Sequence, residues 1–135
     1  MSMNSLKKRF YPAVFTKEND RYWVQFPDLP GCFTEGDTLE EAYEMAQDAM
    51  GLYMVNENGE FVFPTPSDIK SIVPKENEYP LLVEFDPVEY LKSVSTKSVK
   101  KTLTIPEWLN TIAEKNNINF SQLLQNALKE QLQVS

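Results

Sequence analysis

Val99-Lys100-Lys101-Thr102-Leu103-Thr104-Ile105-Pro106 alternates between polar and apolar side chains and then stops at a proline. Alternation with a period of two marks a half-buried strand, because successive side chains leave a pleated backbone on opposite faces. Pro106 cannot donate to a ladder, yet its fixed φ suits the first turn of a helix, so strand should give way to helix there. Trp108, Leu109, Ile112 and Ala113 then recur at helical spacing. Asn116-Asn117 turns the chain, and Asn119 is placed to cap a second helix carrying Leu123, Leu124, Ala127, Leu128 and Leu132. The pattern predicts a strand-helix-helix unit over residues 99–135.

A unit of about forty residues rarely buries enough apolar surface to fold alone. Its single strand also leaves a row of backbone donors and acceptors unpaired. A second copy answers both demands: two strands pair antiparallel into a ribbon, and four helices close one shared core. Val99, Leu103 and Ile105 share one parity and should face that core, which turns Lys100, Thr102 and Thr104 outward. A two-stranded ribbon fits the major groove of DNA, where short polar side chains reach base edges. The expected assembly is a homodimer through this unit, with higher oligomers left open.

Upstream, Ser93, Ser95, Thr96 and Ser98 have few apolar neighbours, so residues 93–98 read as a flexible linker. Residues 10–92 form a different pattern. Phe10–Thr16 and Arg21–Phe26 are aromatic and β-branched, and Lys17–Asp20 between them suits a four-residue hairpin turn. Tyr22, Val24 and Phe26 share one face and Trp23 takes the other; Pro12 calls for an edge or a bulge. After Pro27–Cys32, a third strand is expected around Cys32–Gly36. Thr38 with Glu41 makes a capping box for a helix over Leu39–Val55, whose apolar stripe includes Ala42, Ala46, Met50 and Met54. Ile69–Val73 suggests a short strand, Leu81–Phe85 a firmer one, and Asp86–Leu91 a helical turn. The fold class is α+β: a small β-β-β-α-β sheet domain, preceded by a flexible N-terminus over residues 1–9 and followed by the strand-helix-helix unit.

Composition narrows the chemistry. The chain is 41% hydrophobic and 24% charged, close to the usual globular share, so it can build a core. It contains no histidine and one cysteine, Cys32, which removes histidine-based nucleophile systems, intrachain disulfides and a structural zinc site. Cys32 itself is expected to be a small buried residue. None of the four glycines belongs to a phosphate-cradling loop. No apolar run is long enough to cross a bilayer and no secretory signal leads the chain, so the cytoplasm is the expected location. Residues 1–92 hold 8 Lys/Arg against 17 Asp/Glu, while residues 93–135 hold 5 against 3. An acidic body joined to a mildly basic tail suggests two surfaces with different partners.

Two resemblances give these surfaces a meaning. The strand-Pro-helix-turn-helix pattern, with Lys100–Pro106 and Asn117–Leu124, resembles the ribbon-helix-helix repressors. The resemblance implies that Lys100, Thr102 and Thr104 read bases, and that Asn119, Phe120 and Ser121 at the second helix start, with Lys101, hold DNA phosphates. The run Tyr11–Met50, with its aromatic hairpin, the Phe26–Cys32 motif FPDLPGC and the TEGDTLEEA motif before an Ala-rich helix, resembles the N-terminal domain of HicB-type antitoxins. That family implies a degenerate ribonuclease H-like domain which binds and neutralises a HicA-type mRNA-cleaving toxin. It also implies a tail that anchors the protein on the operator of its own operon, making an autoregulated transcription repressor. An acidic surface suits an RNA-binding and therefore basic toxin, and Asp28, Glu35, Asp37, Glu40 and Glu44, with Trp23, are the candidate contacts. The same carboxylates also read as plain solvating charge. A different function on the same pattern is a stand-alone repressor whose first domain senses a ligand or mediates oligomerisation.

Catalysis is not expected. Two-metal nuclease chemistry needs converging carboxylates, one on the first strand, and Phe10–Thr16 carries none. Asp28 and Asp37 fall in turns, and Glu84 and Asp86 lie on or after a later strand. No metal or cofactor is called for.

Overall fold

The structure, a computed structural model, describes residues 6–135. Its chain divides into two compact units between Val94 and Ser95. The first unit holds the strands β1 (Arg9–Glu18), β2 (Arg21–Gln25), β3 (Phe33–Gly36) and β4 (Glu78–Phe85), with helices α1 (Leu39–Met54) and α2 (Pro87–Val94). The second holds α3 (Glu107–Lys115) and α4 (Phe120–Leu132). The four strands form one antiparallel sheet in the order β3-β2-β1-β4. Among the described residues no helix is long and apolar enough to cross a membrane.

Alternation sorts the sheet into two faces. Tyr11, Ala13 and Phe15 of β1, Val24 of β2, and Val83 and Phe85 of β4 are buried on one face. There they meet Ala42, Ala46, Met50 and Met54 of α1 in a single core. Thr38 caps α1 as the sequence predicts, its hydroxyl accepting from the Glu41 amide at 3.1 Å. Two glycines let the backbone come close. A Cβ at Gly36 would strike the Ala42 backbone, where α1 lies against β3, and one at Gly51 would strike the Tyr90 ring of α2. Tyr90 completes an aromatic group with Phe61, Phe63 and Phe85.

Both prolines in the sheet stand where a missing donor costs little. Pro80 is on the edge strand β4, and Pro12 lies before Val14, where the β2 ladder begins. The outer edge of β4 is covered from α1. The Tyr43 hydroxyl accepts from the Glu84 amide at 2.9 Å and donates to the Leu82 carbonyl at 3.3 Å, and Gln47 donates to the Glu84 carbonyl at 2.9 Å. Side chains thus satisfy backbone groups that would otherwise template another strand.

Several boundaries depart from the sequence expectation. The hairpin turn is the two residues Asn19-Asp20 rather than Lys17–Asp20: both have positive φ, 54° and 59°, as the tight turn matching strand twist requires. Strand pairing therefore extends through Lys17 and Glu18. Ile69–Val73 is not a strand; Ile69–Ser71 is a short 3-10 turn. Asp68 makes it, accepting from the Lys70 amide at 2.9 Å and from the Ser71 hydroxyl at its carbonyl, and such local bonds compete with a ladder. Of the flexible N-terminus expected over residues 1–9, residues 1–5 lie outside the described residues, but Arg9 already begins β1 opposite Phe85. Its guanidinium sits 3.5 Å from the centre of the Phe63 ring. At the other boundary, α2 runs two residues into the expected linker 93–98, because Asp86 caps it and the Ser93 hydroxyl bonds back to Tyr90.

The strand expected over 99–105 is not formed within one chain, where residues 95–106 have no regular structure. A strand is defined by its neighbour, and the second unit offers none. Its two helices are nevertheless well terminated. Asn119 caps α4, accepting from the Gln122 amide at 3.0 Å, and Asn117 takes a left-handed φ of 55° in the turn between the helices.

Candidate functional site

The second unit is built like half of something. Helices α3 and α4 have formed their backbone bonds, yet no residue from Ser95 to Ser135 is buried. Val99, Leu103 and Ile105, Trp108, Leu109 and Ile112, and Leu123, Leu124, Leu128 and Leu132 are all exposed. An exposed apolar set of this size, spread along two ordered helices, marks an interface. Lys100, Thr102 and Thr104 stand on the exposed segment before α3, together with Lys101. At the start of α4, Asn119 and the helix itself occupy the amides of Gln122 and Leu123. The amides of Phe120 and Ser121 precede them, in the turn where a helix has no acceptor of its own. With the helix dipole behind them they can hold an anion.

In the first unit the six candidate contacts do not form one cluster. Trp23 and Glu35 face each other across β2 and β3, on the sheet face opposite α1. Glu40 and Glu44 are exposed on α1, on the other side of the sheet. Asp37 and Glu35 share Arg21, at 2.7 Å and 3.2 Å, in solvent-exposed pairs that contribute little to stability. Asp28 accepts from the Ser67 amide at 2.8 Å and from the Ser67 hydroxyl, so it pins a distant loop.

Sequence reasoning passed over the apolar part of the face around Trp23. Phe10, Trp23, Phe33 and Leu82 are all exposed there, and Val14 lies among them. A cleft of about 160 Å³ opens between Trp23 and Phe33 over Val14, Thr16 and Gln25. The signal was in β1 itself. Phe10, Pro12 and Val14 on one parity are as apolar as Tyr11, Ala13 and Phe15 on the other. A strand apolar on both parities is usual only where both faces are covered.

A model of the HicB-like antitoxins of bacterial toxin-antitoxin systems matches residues 11–128. The chain belongs to this family. A 14.9 kDa uncharacterised protein of Haemophilus phage HP1 is 33% identical over 131 residues, covering 87% of this chain and 96% of its own length. Antitoxin HicB 1 of Photorhabdus laumondii is 48% identical over 46 residues, a match spanning 33% of this chain and 30% of that antitoxin. Among solved structures, a chain of a toxin-antitoxin complex from Streptococcus pneumoniae superposes with a TM-score of 0.56 at 29% identity, covering 93% of this chain and 99% of that one.

The carboxylates weighed for metal chemistry in the first unit make structural contacts instead. Asp86 caps α2, Glu84 faces Lys8 at 3.3 Å, Asp28 holds Ser67 and Asp37 holds Arg21. Among the described residues, no three His, Cys, Asp or Glu side chains are grouped to hold a metal ion. Cys32 is buried, and burial pushes its thiol above the ordinary value, away from the reactive thiolate.

Proposed function

We propose that this HicB-like antitoxin is one half of a type II toxin-antitoxin pair. Its degenerate ribonuclease H-like domain, residues 10–92, covers and neutralises a HicA-type mRNA-cleaving toxin. Its tail, residues 99–135, is a ribbon-helix-helix unit that dimerises, binds operator DNA and represses the antitoxin's own operon. One observation carries this reading: two ordered helices and an unpaired, alternating segment stand without a single buried residue. In the dimer, Val99, Leu103 and Ile105 turn inward onto α3 and α4, and the ribbon's Lys100, Thr102 and Thr104 enter the major groove. Lys101 and the amides at Asn119, Phe120 and Ser121 take phosphates.

The acidic first unit supports the toxin half of the reading, since a protein that grips RNA is basic and an acidic cover competes for the same surface. Co-expression with the adjacent short gene tests it: growth arrested by that gene alone should be restored by the full chain. Purified protein should also shift its own promoter DNA. A harmless neighbour defeats the toxin half, and an unshifted promoter defeats the operator half.

A further inference from the structure

The only helix packed across the sheet of the first unit, among the described residues, is on one of its faces. Helix α1 lies on the face of Tyr11, Phe15 and Val24, and on the opposite face Phe10, Trp23, Phe33 and Leu82 are exposed around the buried Pro12 and Val14. Phe33 is 73% exposed and Trp23 is 42% exposed, with the 160 Å³ cleft between them. Large aromatic rings held on paired strands around a cleft have the make-up of an interface centre, because they offer contact area at little conformational cost. The ladder fixes what surrounds them. Outward positions of the four strands carry Glu18, Glu35, Glu78 and Glu84. Of these carboxylates, Glu35 is engaged by Arg21, which also meets Asp37, and Glu84 meets Lys8.

We propose that this open sheet face docks a small basic protein, which seats an apolar anchor between Trp23 and Phe33 and sets lysines or arginines against the surrounding carboxylates. The inference rests on the antitoxin reading, and identifies which surface of the first unit the toxin covers. Charge selects the occupant. A second copy would bring the same carboxylates to the same face, and like charges set opposite each other disfavour docking. A basic partner is drawn by their summed field, first in the rate of encounter. The face is also distinct from the helix side that carries Glu40 and Glu44, so the two candidate surfaces separate by mutation.

The experiment measures binding of the full-length protein to the purified basic protein encoded by the adjacent reading frame. Phe33→Ala and Trp23→Ala should each weaken binding about 30-fold or more, the scale of a central anchor residue. Leu52→Glu, at a 76% exposed position on α1, should leave it unchanged. Circular dichroism and a cooperative unfolding transition of the first unit confirm that each variant is folded. Binding that survives both aromatic truncations, or falls equally with Leu52→Glu, overturns the docking face while leaving the antitoxin reading in place. A free protein that loses an oligomeric state on Phe33→Ala, by sedimentation, overturns it in favour of a second copy. Wild-type protein that fails to bind the neighbour's product removes both the reading and the face.

Discussion

Residues 9–94 and residues 95–135 use the same materials with opposite results. In the first stretch, β1 finds two strand neighbours within reach, and α1 closes over Tyr11, Phe15, Val24 and Val83 until they are inaccessible to solvent. In the second, two helices form as readily, α4 capped by Asn119, yet Leu103, Trp108, Leu124 and Leu128 remain open. Local signals suffice to make a helix in either place. What differs is whether the chain itself supplies the surface on which the helix packs. The first unit is completed by its own sequence; in the proposed reading the second is completed by a copy of itself, so its stability depends on protein concentration while that of the first does not.

The strongest way to break this contrast is to place a charge in the proposed shared core. Leu124→Asp should leave an uncompensated carboxylate there, at a cost of about 3–5 kcal/mol per copy. Promoter binding should be lost and sedimentation should report a monomer, while the unfolding transition of the first unit stays where it was. A dimer that persists would show that α4 does not face a partner. The reciprocal change is Phe85→Ala. It empties the centre of the aromatic group around Phe61, Phe63 and Tyr90 and should destabilise the first unit by about 3–5 kcal/mol in denaturant titration. The concentration-dependent transition should not move.

How far the sequence disclosed this follows the same division. Helix α1 was readable because its cap, its stripe and its length agree within one short window: Thr38, Glu41, Ala42, Ala46 and Met50. The strands were readable by parity, which also placed Trp23 outward. What escaped depends on partners far along the chain. Nothing local to Asp28 announces Ser67, and nothing local to Tyr43 announces the backbone of Leu82 and Glu84. The turn at Asn19-Asp20 was misplaced because both residues tolerate left-handed backbone as glycine does, without being the Asn-Gly pair that signals it most strongly. The alternation at 99–105 predicted a strand, and in one chain, which offers it no neighbour, residues 95–106 take no regular structure.

A finer test separates recognition from assembly within the second unit. Thr102→Ala and Thr104→Ala should each weaken specific promoter binding by about 1–3 kcal/mol while leaving the dimer intact in sedimentation. Neutralisation of the toxin should be untouched. If both functions fall together, the two units are not independent. The matching local test in the first unit is Thr38→Ala, which removes the hydroxyl that holds the Glu41 amide and should cost about 1 kcal/mol, seen as a small shift in its denaturation midpoint.

The smallest expected effect is one of pH, and it belongs to the first unit alone. Burial raises the Cys32 thiol above its ordinary 9.0, so the folded protein favours the neutral form more than the unfolded chain does. A group with a raised folded value contributes stability that is fully present below the unfolded value and is lost as pH rises through the folded one. Unfolding free energy should therefore be insensitive to this group near neutrality and begin to fall above about pH 9. Tyr11 and Tyr90, raised by burial above 10.0, add to the decline at higher pH. Cys32→Ala should flatten the slope between about pH 9 and 10 without altering that of the concentration-dependent transition. An unchanged slope would mean that the thiol meets solvent in the folded state and that the core around Leu29 and Phe26 is looser than its geometry implies.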